Sequence, residues 1–309
     1  MGTYLILGGT GKVGRRVVRI LERDGHIARA AGRSGPVRFD WNDPGTWEPA
    51  VRGADGIFVV GPGSATDWSP LLTRLLETAA GAGAGRSVPP RAVLLSARGV
   101  EFLPDGNVAR AEDALRAGPL PWTILRPSHF AQNFTEAMFT PVFSGLTDAS
   151  AGSTARDVVT APAGDVVTAP LTGLVTAPVG DGAEPFVDVL DIAEAAARVL
   201  VTGDADGEIV ALSGPAALTF DEAARVLSDV TGQRVRFRDQ PLADHADQLR
   251  AAGTPEEYIR WRLAMLGGIR RGDDAYLSDG VQRLLGRPAT SFAAWARREA
   301  ASSAWAARG

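Results

Sequence analysis

The chain has no cysteine and a single lysine, Lys12, among its 309 residues. Without thiols there is no disulfide framework, no thiolate nucleophile and no zinc–thiolate centre. His26, His129 and His245 stand far apart in sequence, so no metal site is expected. No apolar run reaches the roughly 18 residues a membrane helix needs. The first residues enter an apolar strand directly, with no basic stretch or cleavage site, and a cytoplasmic location is the expectation. Thirty-two Lys+Arg against 36 Asp+Glu leave a net charge of −4, which argues against a nucleic-acid partner that needs a basic face. What is present is 45% hydrophobic and 22% charged residues, the balance of a soluble globular protein with a sizeable core.

The first half alternates short apolar runs with amphipathic stretches. Strands are predicted over 3–7, 27–31, 37–40, 56–60, 91–96 and 122–126, with helices over 12–23, around Leu71–Ala79 and over 109–117. Strands alternating with helices imply an α/β fold, a Rossmann-type doubly wound parallel sheet. Helices are also predicted over 193–201, 221–231, 255–266 and 292–300, and this half lacks the strand rhythm. The division expected is residues 1–140 as the dinucleotide-binding domain and 141–309 as a smaller, mostly helical substrate-capping lobe interleaved with it. Residues 158–181 are an eight-residue Val/Leu-Val-Thr-Ala-Pro repeat in three copies. It reads either as a slippage product in a surface loop or as a flap over the substrate mouth.

Gly8-Gly9-Thr10-Gly11-Lys12-Val13-Gly14 carries G-x-x-G-x-x-G between the first strand and the first helix. Glycines there permit a sharp turn and the close approach of a pyrophosphate, which the helix N-terminus attracts. Gly8, Thr10, Gly11, Lys12, Val13 and Gly14 are therefore candidate cofactor contacts. An acidic residue at the end of the second strand would hold the ribose of NAD. The chain has Gly32-Arg33-Ser34 instead, and Arg33 and Ser34 suit a 2′-phosphate. NADP(H) is the expected cofactor. Asp40 and Trp41 are placed to border the adenine, although Trp41 suits the core equally, and Gly61 follows the fourth strand as a further contact.

The glycine loop, Phe39-Asp40-Trp41, Leu94-Leu95-Ser96-Ala97, Trp122-Thr123-Ile124-Leu125-Arg126-Pro127, Ala131-Gln132-Asn133-Phe134, Phe186-Val187-Asp188-Val189, Asp191-Ile192-Ala193 and Leu218-Thr219-Phe220 occur in one order. Together they resemble the NmrA-like branch of the atypical short-chain dehydrogenase/reductases, from about residue 3 to 292. That branch includes quinone reductases, reductases similar to those of ergot-alkaloid biosynthesis, and ketoreductases of aromatic polyketides in antibiotic biosynthesis. The resemblance implies a Rossmann fold, NADP(H) and a small aromatic substrate. It departs from the pattern in the first two repeat copies.

Ordinary members of that superfamily protonate the product from a Tyr-x-x-x-Lys pair. Four residues after Tyr4, Tyr258 and Tyr276 stand Gly8, Arg262 and Gly280, so no such pair exists here. Three proton sources or charge stabilisers remain: Ser96 at the end of the fifth strand, His129 after the sixth, and the substrate or solvent itself. Ser96 and His129 are the candidate catalytic residues; each also has a bland reading, as a strand-end serine and a structural histidine. Phe130, Asn133 and Phe134 are candidate substrate contacts. Trp68, Phe139, Phe143 and Trp261 join them as aromatics that suit either a wide apolar pocket or plain core. Glu112 and Asp113 read as a solvated carboxylate pair on a helix. The expectation is a monomer-compatible NADPH-dependent reductase of a ketone or quinone on a polycyclic aromatic. An imine or iminium reductase and a non-catalytic NADP(H) sensor with a protein partner are the alternatives.

Overall fold

Runs such as Leu5–Leu7, Ile57–Val59 and Ala92–Leu94 are apolar without helical spacing, and all are buried. Such segments hide both faces only in the interior of a parallel sheet. The computed structural model describes residues 1–62, 67–85, 87–135, 173–232 and 234–301. In chain order the elements are β1 (Thr3–Leu7), α1 (Gly14–Arg23), β2 (Ile27–Gly32), β3 (Val37–Arg38), α2 (Trp47–Val51), β4 (Gly56–Val59), α3 (Ser69–Ala82), β5 (Arg91–Leu95), α4 (Asn107–Arg116) and β6 (Trp122–Pro127). Then follow β7 (Gly173–Ala177), β8 (Ala183–Glu184), α5 (Val189–Thr202), β9 (Glu208–Leu212), β10 (Leu218–Thr219), α6 (Phe220–Thr231) and β11 (Val235–Asp239). Last come α7 (Leu242–Ala251), α8 (Glu256–Arg271), α9 (Gly280–Leu285) and α10 (Phe292–Ala301).

The chain forms two compact units. Unit 1 is residues 1–128, 189–213 and 278–289; unit 2 is 129–188, 214–277 and 290–309. The sheet of unit 1 is ordered β3-β2-β1-β4-β5-β6-β9, and every pairing in it is parallel. Winding reverses between β1 and β4, the switch point at whose carboxyl edge open α/β sheets bind ligands. The seventh strand, β9, comes from the half that shows no strand rhythm. It lies at the sheet edge with Glu208 and Ile209 exposed, so its apolar pattern is weak. Within unit 1 its helix α9 packs closely enough that a Cβ on Gly280 would run into the Ala211 carbonyl.

Unit 2 has its own core, built on Phe134, Phe186, Phe220, Phe292 and Trp295. Phe134 meets Phe186 and Phe292 edge-on with ring centres 5.2 Å apart, an arrangement favoured by ring quadrupoles. Helix α6 opens with a capping box: Thr219 Oγ1 accepts the Glu222 N–H at 3.1 Å and Glu222 accepts the Thr219 N–H at 2.9 Å. The third repeat copy is neither loop nor flap in this unit. Gly173–Ala177 is β7, in parallel register with β11, and Val175, Ala177 and Val179 are fully buried. The first two copies, Phe139, Phe143 and the expected boundary at 140 lie outside the described residues. Among the described residues no helix is long and apolar enough to cross a membrane.

Candidate active site

The loop from β1 to α1 explains its glycines one by one. Gly8 has φ +65°, a left-handed conformation that an L side chain rarely adopts. A Cβ on Gly9 would sit 2.7 Å from the Ala30 Cα of β2, and one on Gly14 would run into the Gly8 carbonyl oxygen. The Gly11 N–H closes the turn on that same oxygen at 2.8 Å. Val13 precedes α1 without a side-chain cap, so the helix end presents backbone to the loop. A cradle that side chains would fill, at a helix N-terminus beside the switch point, fits a dinucleotide pyrophosphate.

The other expected cofactor residues are spread around this edge. Thr10, Arg33 and Ser34 are exposed, and the Lys12 side chain is buried. Asp40 is tied into a local turn: its carbonyl accepts the Trp47 indole N–H at 2.7 Å, its N–H donates to Thr46 Oγ1 at 3.0 Å, and its carboxylate accepts the Asn42 N–H. Trp41 is buried with its ring edge-on to Phe39 and Trp68 at 5.3 Å each. Gly61 abuts Trp68, whose ring lies 2.8 Å from where a Cβ would stand.

Ser96 follows β5 and is buried. Its hydroxyl donates to Glu112 Oε1. Arg126, on β6, holds the same carboxylate with both arms of its fork, Nε to Oε1 at 2.9 Å and a terminal nitrogen to Oε2. Glu112 is thus not solvated, as the helix face suggested, but 2% exposed; its neighbour Asp113 is the exposed member. Position along α4 decides between them: Glu112 follows Ala111 and precedes Leu115 on the buried face. A buried carboxylate is tolerated here because it is forked by a guanidinium and hydrogen-bonded by a hydroxyl. The spacing of Glu112 and Arg126 gives no hint of this pairing, because α4 and β6 come together only in the fold.

In unit 2, the His129 N–H donates to Glu184 Oε1 at 2.9 Å, and His129 Nδ1 lies 3.5 Å from that oxygen. Asp274 adds a third polar group, with one ligand-type atom from each of the three within 4.8 Å of the others. Glu184 is fully buried and 55 residues from His129, beyond reach of any local pattern. Phe130 bridges to Val187. Gln132 donates to Asp188 Oδ1 at 2.7 Å, the Asn133 N–H bonds the Phe130 carbonyl, and Phe134 is packed in the phenyl core of unit 2. Trp68 is likewise core, in unit 1, and Trp261 is half-buried.

A parallel sheet with a glycine cradle at its switch point defines a dinucleotide-dependent enzyme of the Rossmann class. The chain belongs to the NAD(P)H-binding family, which it matches over residues 8–170. It is 28% identical over 304 residues to the uncharacterized oxidoreductase YesF of Bacillus subtilis (strain 168), covering 96% of this chain and 95% of that one. It is also 28% identical over 306 residues to (4-alkanoyl-5-oxo-2,5-dihydrofuran-3-yl)methyl phosphate reductase of Streptomyces griseus subsp. griseus, covering 96% and 97%. Its fold is shared with the NADPH-dependent quinone oxidoreductase QOR2 of Escherichia coli, solved with NADPH, at TM-score 0.71 and 19% identity over 96% of this chain and 99% of that one. The protein is an NAD(P)H-dependent oxidoreductase.

Proposed function

We propose that the protein is an NADPH-dependent reductase of a ketone or quinone carbonyl on a polycyclic aromatic molecule. The observation that carries this reading is the buried Ser96–Glu112–Arg126 network in a chain with no Tyr-x-x-x-Lys pair. The bound dinucleotide supplies hydride. The glycine cradle binds its pyrophosphate, and Arg33 with Ser34 receives the 2′-phosphate.

Ser96 has one proton to donate, and Glu112 takes it. Toward a substrate its Oγ therefore offers lone pairs, not a proton. That suits an acceptor bearing its own phenol or enol: Ser96 accepts and orients that O–H, while the substrate or solvent protonates the new alkoxide. A quinone fits the same logic, since its reduced oxygen is a delocalised phenolate of low basicity. His129, whose backbone N–H donates to Glu184, is the second proposed catalytic group, through its imidazole. Names of relatives support the class: one reduces a phosphorylated oxo-dihydrofuran, and a structural neighbour reduces quinones.

The test is spectrophotometric NADPH oxidation with hydroxynaphthoquinones, polycyclic aromatic ketones and a cyclic imine. Turnover of the first two groups is expected, with Arg33→Ala weakening NADPH, but not NADH, by roughly 10- to 100-fold, the loss of one charge-assisted contact. Turnover of the imine alone assigns the iminium chemistry instead. Tight NADPH binding with no acceptor reduced would replace catalysis by nucleotide sensing.

A further inference from the structure

Three segments of unit 2 are drawn together at His129. The His129 carbonyl accepts the Val187 N–H at 3.0 Å, and Phe130 bridges to the same valine. That pairing lays the start of unit 2 alongside the stretch that follows Glu184 of β8. Helix α8 is held close to β8, because Gly182, just before the strand, has no room for a Cβ against the Ile269 carbonyl. Helix α8 then ends at Gly272, whose N–H returns to the Ile269 carbonyl at 2.8 Å, while the Asp273 N–H returns to that of Gly268 at 3.0 Å. Asp274 is the next residue. All three positions therefore stand on backbone that hydrogen bonds or close packing hold in place.

His129, Glu184 and Asp274 each bring one ligand-type atom within 4.8 Å of the other two. Glu184 is fully buried and Asp274 is 1% exposed. Glu184 differs from other buried carboxylates in its partner. Glu112, Asp188 and Asp191 each face a guanidinium, from Arg126, Arg298 and Arg287 respectively. Glu184 faces none among the described residues. Its Oε1 accepts the His129 N–H at 2.9 Å and lies 3.5 Å from His129 Nδ1. Its Oε2 is buried and has no hydrogen-bond partner. A buried carboxylate oxygen left in that state is costly for a folded protein, and a cation beside it removes the cost.

We propose that His129, Glu184 and Asp274 hold a divalent transition-metal ion of the Zn²⁺ class. One imidazole nitrogen with two carboxylates suits zinc and its first-row neighbours, whereas Ca²⁺ needs more oxygens and Mg²⁺ keeps several waters. Metal–ligand bonds of about 2.0–2.2 Å put the ligand atoms of such an ion roughly 3.3–3.5 Å apart. His129 Nδ1 and Glu184 Oε1, at 3.5 Å, already have that spacing. The 4.8 Å bound on the whole set leaves at most about 1.5 Å for side-chain torsions to close. The fourth position falls to water or to an oxygen of a small ligand. The ion ties β8 to the start of unit 2 and to the end of α8. The set uses a single histidine, which is why histidine spacing in the sequence gives no sign of it. This goes beyond the reductase reading and does not rest on it. An imidazole bound through one nitrogen keeps an N–H on the other, so one ring serves both roles.

The experiment is calorimetric titration of the tag-free, chelator-treated full-length protein with ZnCl₂, with Co²⁺ absorption as a spectroscopic check. One Zn²⁺ per chain is expected, with a Kd of about 1 μM or tighter. Co²⁺ is expected to develop the visible bands of direct nitrogen and oxygen ligation. Glu184→Gln keeps an acceptor for the His129 N–H, and weakens Zn²⁺ by about tenfold or more. Absence of stoichiometric binding in the unmodified protein overturns the site. So does a Zn²⁺ affinity that Glu184→Gln leaves unchanged, since the ion is then held elsewhere. If Glu184→Gln does not fold, Asp274→Asn decides by the same measure: a loss of about tenfold or more supports the site, and an unchanged affinity overturns it.

Discussion

Single atoms decide the phosphate loop. Gly14 has no room for a Cβ because the Gly8 carbonyl occupies that place, and the same carbonyl anchors the Gly11 N–H. Gly14→Ala is expected to reshape the loop and abolish detectable NADPH binding in calorimetry, with a loss of folding stability of about 1–3 kcal/mol from overpacking. Among buried side chains, His245 has the clearest pH signature. Burial holds its folded pKa at about 4, below the ordinary histidine value of 6.5, so the unfolded chain takes up the proton first as pH falls. The stability it contributes is complete above about pH 6.5 and is lost progressively down to pH 4. The full loss is on the order of 3 kcal/mol. Denaturation midpoints across that window are expected to flatten in His245→Gln; an unchanged slope would refute the assignment.

Pairs of elements make the Ser96 network. Strand β5 ends at Leu95, α4 turns Glu112 inward, and β6 extends Arg126 beside it. Glu112→Gln keeps an acceptor for the Ser96 hydroxyl but strips the charge that faces Arg126. Breaking a buried pair costs roughly 3–5 kcal/mol. The Arg126 side chain is 27% exposed, so water offsets part of this, and about 2 kcal/mol is expected in urea denaturation. Neither residue announces itself in sequence beyond its place in a helix and a strand. Apolar periodicity located α4 within two residues of its start, yet it could not say which of two adjacent carboxylates turns inward. The same limit applies to the repeat: three nearly identical copies share one local pattern, and only pairing with β11 makes the third a buried strand.

Chain economy appears at the scale of the molecule. Unit 1 is completed by β9, α5 and α9, contributed by residues 189–213 and 278–289. A fragment of residues 1–140 keeps the glycine loop but bares the β6 edge that pairs with β9. It also loses α5, whose Val189, Ile192, Val199 and Leu200 are fully buried. Such a fragment is expected to show secondary structure by circular dichroism, no cooperative thermal transition and a tendency to aggregate. A sharp transition with NADPH binding would show that the first 140 residues fold by themselves.

The sequence by itself determined the parallel α/β architecture, the place of the phosphate loop and the missing tyrosine–lysine acid. These depend on local spacing, on the steric freedom of glycine and on simple counting. Only the tertiary structure decided that Glu112 is buried against Arg126, that His129 is held by Glu184, and that His245 is fully buried with its Nδ1 against the Gln240 amide. Electrostatic partners are chosen by distance in space, and burial is what turns such a pairing, or its absence, into energy.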